Sequence, residues 1–160
     1  VAAKAVAGAR KIDIYGSGYS YFTALDGKLK FTRLGLIADC YGDGHLQMAA
    51  ASGLQRTDVA IGVSHSGSTK DVVDALTTAH KSRATTIAVT NFSPSPITRA
   101  ADIVLLTASS ETPLGGEVLT SRIAQLCVVD VLSVAVAIVI GESCLEHIRN
   151  AAEAVKGKRY

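Results

Sequence analysis

The chain has 160 residues, of which 48% are hydrophobic and 19% charged, so it is long and apolar enough for one globular domain and too apolar for a disordered chain. Sixteen Lys and Arg against fourteen Asp and Glu leave a net charge of +2, which is too balanced for a nucleic-acid-binding surface over the whole domain. Three cysteines stand in apolar runs without metal-ligand spacing, at Cys40, Cys127 and Cys144. This pattern predicts reduced, buried thiols in a cytoplasmic protein.

Short apolar runs alternate with helical patterns along the chain. The runs predict five strands, at residues 11–15, 37–41, 58–63, 85–90 and 102–106. Helical periodicity predicts helices at residues 21–33, 46–54, 69–83, 96–101, 118–140 and 142–155. Most of the runs are continuous rather than alternating, which is typical of parallel strands covered on both faces. We therefore expect an α/β fold, a three-layer α/β/α sandwich with a five-stranded parallel sheet in flavodoxin-like order.

A glycine-rich segment follows the first predicted strand, and we call residues 16–20 (Gly-Ser-Gly-Tyr-Ser) the glycine loop. Its first three residues suggest a dinucleotide-binding fingerprint, and Asp39 stands near the position of the acid that binds the ribose. However, Tyr21 occupies the place of the third glycine. The fingerprint is incomplete, and a nicotinamide cofactor is disfavoured.

The third predicted strand ends in residues 64–69 (Ser-His-Ser-Gly-Ser-Thr), which we call the serine loop. Four hydroxyl side chains surround Gly67, and a helical pattern begins directly afterwards. Free backbone N–H groups and the positive end of a helix dipole make such a turn an anion site, best suited to a phosphate. A plain N-cap cluster is the alternative, since Ser and Thr favour helix starts. If strands one and three are neighbours, the glycine and serine loops meet at one crevice.

The same segment nearly matches the G-x-S-x-G nucleophile elbow of hydrolases. Ser66 stands where the final glycine would be needed, and nothing singles out Asp102 and His147 as partners of a triad. Ser64 is therefore disfavoured as a nucleophile. The four histidines have no metal-ligand spacing, so we predict no metal.

Residues 123–140 form the segment with the most membrane-like composition. Asp130 lies near its middle, and an Asp there costs about 2.5–3.5 kcal/mol on membrane-insertion scales. A helix in the core or at a subunit interface is favoured over a membrane span. Val134 and Ile138 are candidates for the interface, although the same residues could instead only cover the sheet.

Together the two loops resemble the SIS (sugar isomerase) domain, whose phosphosugar loop reads S-x-S-G-x-T. Residues 26–35, 39–47 and 121–126 further resemble the effector-binding domain of RpiR-type bacterial transcriptional regulators, so that the resemblance covers almost the whole chain. It implies a five-stranded parallel sheet, a homodimer or higher homo-oligomer formed through helices, and a phosphorylated sugar as effector, without a cofactor.

In those regulators an N-terminal helix-turn-helix domain binds DNA. The chain starts at Val1 without a methionine, and residues 1–9 have the pattern of the end of a helix. We therefore expect residues 1–160 to be the phosphosugar-binding domain alone, and DNA binding to belong to a domain outside this chain.

The resemblance also implies roles for individual residues. The hydroxyls of Ser64, Ser66 and Thr69, with the backbone of Gly67 and Ser68, would hold the phosphate. Further contacts to the phosphate or sugar would come from Ser17, Gly18, Ser20, His45 and Glu117. Glu111 is a further candidate in the same segment as Glu117. None of these residues is predicted to be catalytic.

The sequence leaves open an effector sensor and a phosphosugar aldose–ketose isomerase. An isomerase needs a base and an acid, which His45, His65, Glu111 or Glu117 could supply. The segments that resemble the regulators favour the sensor, and this preference rests on family resemblance alone. A dimerisation module with an empty site is disfavoured by the density of hydroxyls in the serine loop.

Overall fold

One parallel sheet organises the fold. The structure is a computed structural model that describes residues 1–109 and 117–158. Its strands are β1 (Ile12–Gly16), β2 (Ala38–Tyr41), β3 (Val59–Val63), β4 (Thr85–Thr90) and β5 (Ile103–Leu106). They lie in the order β2-β1-β3-β4-β5, and all neighbouring pairs are parallel. Each strand begins and ends within one residue of its predicted bounds, so the predicted five-stranded sheet is confirmed.

Helices connect the strands and cover the sheet. They are α1 (Ala2–Ala7), α2 (Tyr19–Arg33), α3 (Gly44–Ser52), α4 (Lys70–Lys81), α5 (Pro96–Arg99), α6 (Glu117–Ile140) and α7 (Glu142–Ala154), followed by a 3₁₀ turn at Lys156–Lys158. Two helices start two residues earlier than predicted. α2 starts directly after Gly18, whose φ of 57° sets the turn, and α3 starts after Asp43, whose Oδ1 accepts from Leu46 N at 3.0 Å.

The sheet is covered on both faces, which confirms the three-layer sandwich. On one face Ile12 and Ile14 pack in a core shared with α1, α2 and α6. On the other face Tyr15 and Ala60 pack with Leu76 in a core shared with α3, α4 and α5. The alternation along β1 follows from the two-residue period of a strand. α1, α2 and α6 therefore cover one face of the sheet, and α3, α4 and α5 cover the other.

α6 buries one face and exposes another that is equally apolar. Leu132 and Val136 face the core, whereas Val131, Val134 and Ile138 are 65%, 60% and 76% exposed. Residues Thr120–Ile140 are apolar and long enough to cross a membrane by length and composition alone. Within this segment Asp130 forms an ion pair with Lys30 of α2 at 2.8 Å. The pair ties a charged part of α6 to the folded domain.

The prediction that all three cysteines are buried is wrong for Cys127. Cys144 is buried and Cys40 is half-buried, but Cys127 lies on the exposed side of α6. An apolar sequence neighbourhood indicates burial only where a helix has a polar outer face, and α6 lacks one along much of its length.

Candidate functional site

The glycine loop and the serine loop begin side by side. β1 and β3 are neighbours, and Gly16 at the end of β1 pairs in register with Val63 at the end of β3. β1 leads into α2 on one face of the sheet and β3 into α4 on the other. This is the topological switch point where open α/β sheets form a ligand crevice. The expected meeting of the two loops is confirmed.

Hydroxyl groups of the serine loop take part in hydrogen bonds within the loop. Ser64 is only 1% exposed, and its Oγ lies 2.9 Å from Thr69 Oγ1. Nearer the solvent, Ser68 N donates to Ser66 Oγ at 3.2 Å, and both of these residues are exposed. The loop therefore offers one bonded hydroxyl pair, buried at Ser64 and half-buried at Thr69, and two exposed hydroxyls, those of Ser66 and Ser68.

Both the backbone conformation and the close packing around position 67 require a glycine there. Its φ is +64°, and a β-carbon built on it would lie 2.3 Å from Ser95 Oγ and 2.9 Å from Thr90 Oγ1. The segment after β4 also braces the loop, because Ile97 N donates to Gly67 O at 2.9 Å and Thr90 Oγ1 donates to His65 O at 3.2 Å. These contacts could not be predicted from the sequence, because nothing in the composition of residues 90–97 indicates which loop they contact.

Two helices start at the crevice without a side-chain cap. The N-cap of α4 is Thr69, whose hydroxyl is bonded to Ser64 and makes no cap hydrogen bond. The N-cap of α2 is Gly18, which has no side chain. By contrast, Asp43 caps α3. The interpretation of the serine loop as a plain N-cap cluster is therefore not supported for Thr69. The start of α4 leaves N–H groups available for an anion, whereas at the start of α2 Ser20 N and Tyr21 N already donate to Ser17 O and Gly18 O.

Close packing shapes the glycine loop. A β-carbon on Gly16 would lie 2.6 Å from Ser20 O, so only glycine allows the first turn of α2 to approach the strand. Gln47 of α3 is fully buried, and its Nε2 donates to Gly16 O and Tyr41 O, at 3.1 Å each. The same Nε2 lies 3.4 Å from the Oγ of half-buried Ser17. Gln47 thus fixes the ends of β1 and β2 and was not singled out by the sequence.

Ser20, in the first turn of α2, contacts a side chain of α6. Gln125 Nε2 donates to Ser20 Oγ at 3.2 Å, and Gln125 Oε1 accepts from Thr23 Oγ1 at 3.3 Å. Gln125 is 2% exposed, and Thr23 is fully buried. α6 therefore reaches the glycine loop through one amide.

The remaining candidates for sugar contact lie in α3, at the start of α6 and outside the described residues. His45 is exposed at the second position of α3. The preceding Gly44 packs on Asp71 of α4, where a β-carbon would lie 2.7 Å from the carboxyl carbon, so α3 starts beside the start of α4. Glu117 is the first residue of α6. Glu111 lies outside the described residues.

Neutral groups dominate the two loops. Neither loop contains a Lys or Arg. Lys70, directly after the serine loop, is paired with Asp74 one turn further along α4, and this contact raises the pKa of the Lys70 ammonium. An anion in the crevice would therefore be held chiefly by hydroxyls, backbone N–H groups and helix dipoles.

Groups with shifted pKa values lie beneath and beside the loops. Burial raises the pKa of Asp13 in β1, although its carboxylate lies 2.9 Å from Lys11 Nζ. Burial likewise raises the pKa of Tyr15 and of the Cys40 thiol. These three groups are thereby kept in their neutral forms over a wider pH range. Among the described residues, no cluster of three His, Cys, Asp or Glu side chains could hold a metal ion.

Comparisons with known proteins agree on one family. Residues 5–135 match the SIS domain. An HTH-type transcriptional regulator RpiR of Escherichia coli is 41% identical over 129 residues, which cover 81% of this chain and 44% of that protein. An uncharacterized HTH-type transcriptional regulator of Caldanaerobacter subterraneus is 40% identical over 158 residues, covering 99% of this chain and 56% of that protein. The chain spans about half the length of these curated relatives.

Two solved structures have the same fold. The Vibrio vulnificus NanR protein complexed with ManNAc-6P superposes with a TM-score of 0.91 at 29% identity, covering 98% of this chain and 59% of NanR. The sugar isomerase domain of an RpiR transcription factor from Sphaerobacter thermophilus gives a TM-score of 0.82 at 27% identity, covering 95% and 83% of the two chains.

Proposed function

Because the chain belongs to the SIS domain family, we propose that it is the phosphosugar-binding effector domain of an RpiR-type transcriptional regulator. It would sense a sugar phosphate and thereby control genes of carbohydrate metabolism. The observation that supports this most directly is the pair of uncapped helix starts beside the serine loop at the switch point of the sheet. The complex of the similar Vibrio protein with ManNAc-6P supports the same class of ligand.

In the proposed complex the serine loop holds the phosphate. Ser64, Ser66 and Thr69 contribute their hydroxyls, and the backbone N–H groups of Gly67 and Ser68 turn to the phosphate from Ser64 O and Ser66 Oγ, to which they donate in the free domain. Hydrogen bonds to a charged group contribute about 1.5–3 kcal/mol each, so several neutral donors suffice for a dianion.

The sugar would lie across the neighbouring loops. Ser17, Gly18 and Ser20 reach the phosphate or the sugar from the glycine loop, and His45 from α3 and Glu117 from the start of α6 reach the sugar. The positions of α2, α3 and α6, which follow strand ends of the sheet, support this placement.

A binding role is favoured over isomerisation by the chemistry of the serine loop. Moving a proton between C1 and C2 of a sugar needs a base and an acid. In the serine loop only His65 could supply either, whereas the hydroxyl and amide groups of the loop are good ligands for a phosphate. The similarity to regulators at about 40% identity supports the same choice.

We further propose a homodimer that uses the exposed face of α6. Val131, Val134 and Ile138 form an apolar stripe there, and such a surface favours burial against a second subunit. A membrane span by α6 would require breaking the ion pair between Asp130 and Lys30. We propose a cytoplasmic protein that contacts DNA through another domain.

A melting-temperature screen tests the ligand class. At one hundred times its dissociation constant, a sugar phosphate should stabilise the domain by about 2.7 kcal/mol, which corresponds to a rise of about 5–10 °C. ManNAc-6P, ribose 5-phosphate and glucose 6-phosphate would be compared with the unphosphorylated sugars. We expect a response to at least one phosphate and to none of the free sugars. An equal response to both sets would contradict a phosphate site.

A further inference from the structure

We propose that Gln125 is a positioning residue of the phosphosugar site, which acts by directing the Ser20 hydroxyl towards the bound phosphate. The inference rests on the proposed function, because Ser20 must reach the effector for its orientation to matter. Gln125 itself would not touch the effector.

The inward face of α6 is polar only near the crevice. Its inward positions are occupied by Ser121 and Gln125 in the first turns and by Val129, Leu132 and Val136 further along. A buried amide among apolar side chains is unfavourable unless its hydrogen bonds are made. The hydrogen bonds between Gln125 and α2 all involve Ser20 or Thr23, in the first turns of that helix and next to the glycine loop. An apolar residue would fill the same helix contact without that cost.

The geometry allows Ser20 to exchange one partner without leaving a buried group unpaired. Ser20 Oγ lies 3.4 Å from Gln125 Oε1, to which it can donate, and 3.2 Å from Gln125 Nε2, from which it can accept. If the Ser20 proton turns to a phosphate oxygen, Nε2 still donates to Ser20 Oγ, and Thr23 still donates to Oε1. The exchange therefore costs no unsatisfied polar atom.

The same geometry orients the hydroxyl. While Nε2 occupies one lone pair of Ser20 Oγ and Thr23 satisfies Oε1, the Ser20 O–H group can turn from Oε1 towards the crevice. Donation by Nε2 also polarises the hydroxyl, which strengthens the bond that it donates. Without the amide, the Ser20 hydroxyl would have no fixed direction.

The test is a double-mutant cycle measured by calorimetric titration with ManNAc-6P and with inorganic phosphate. Gln125→Met and Ser20→Ala should each lower the affinity about tenfold. The double variant should bind no more weakly than Ser20→Ala alone, because Gln125 acts through the Ser20 hydroxyl. Gln55→Met, a substitution at an exposed glutamine, is the matched control and should bind as the wild type does.

Thr23→Val provides an independent readout that leaves Gln125 in place. This nearly isosteric change removes the donor that satisfies Oε1, so the Ser20 proton is held back by Gln125 and the affinity should fall about three- to tenfold. A purely structural role would lower the melting temperature of these variants without changing the affinity of the folded protein.

Three outcomes would overturn the inference. They are additive losses in the cycle, wild-type affinity in Thr23→Val, and wild-type affinity in a folded Gln125→Met protein. Failure of the wild-type protein to bind any sugar phosphate of the melting screen would instead contradict the proposed function, so the two failures are distinguishable.

Discussion

Thr69→Val should weaken the binding of sugar phosphates by about 10- to 100-fold. Valine keeps the shape of the side chain but removes the hydroxyl, and a hydrogen bond to a charged group contributes about 1.5–3 kcal/mol. The substitution also affects Ser64, because the buried Ser64 Oγ is hydrogen-bonded to Thr69 Oγ1 at 2.9 Å. Without that partner the Ser64 hydroxyl changes direction. Calorimetric titration with ManNAc-6P and ribose 5-phosphate measures the effect.

Thr77→Val is the matched control on the same helix. The Thr77 hydroxyl donates to Val73 O one turn back and lies away from the start of α4. This variant should keep wild-type affinity. Equal affinities of the two valine variants would show that the Thr69 hydroxyl does not hold the phosphate.

Gly67→Ala should destabilise the domain by about 2–5 kcal/mol. Placing a side chain at φ +64° costs about 1–2 kcal/mol, and forcing an extra methyl group into a filled space costs about 1–3 kcal/mol. Here the new β-carbon would lie 2.3 Å from Ser95 Oγ, which belongs to the segment that braces the serine loop. Denaturant unfolding measures the change.

Two other glycines separate the cost of the backbone conformation from the cost of packing. Gly18 has φ +57° but open space around a β-carbon, so Gly18→Ala should show the conformational cost alone. Gly53 has φ −90°, and the nearest atom to its β-carbon lies 3.6 Å away, so Gly53→Ala should change stability little. The expected order of destabilisation is Gly67, then Gly18, then Gly53. A Gly67→Ala protein as stable as Gly53→Ala would contradict the packing described for the serine loop.

The sheet was predictable because its strands are buried on both faces. A continuous apolar run such as Val59–Val63 has one interpretation in a chain of alternating strands and helices, and the structure agrees with it to within one residue. The position of the crevice was predictable for a related reason, since the neighbouring arrangement of β1 and β3 brings the glycine loop to the serine loop. Both predictions depend on local pattern and on a general rule of α/β topology.

Contacts between distant segments were not predictable from local pattern. Gln47 and Gln125 look like ordinary helix residues in the sequence, and only the fold shows that each donates to an atom of the glycine loop. The outward position of Cys127 was missed because α6 is apolar on both sides. Such errors arise where burial is decided by tertiary packing and not by the neighbouring residues.

An NMR titration of the isotope-labelled protein with ManNAc-6P tests most directly whether the phosphate lies at the start of α4. The chemical shifts of the backbone amide protons and nitrogens are measured at each step. We predict that the largest shifts are those of the Gly67, Ser68 and Lys70 N–H groups, since a phosphate oxygen would accept from Lys70 N and would compete with Ser64 O and Ser66 Oγ for the other two. Asp102, at the opposite edge of the sheet before β5, should not respond. Saturable binding with unchanged serine-loop amides, and with the largest shifts near Asp102, would contradict the account.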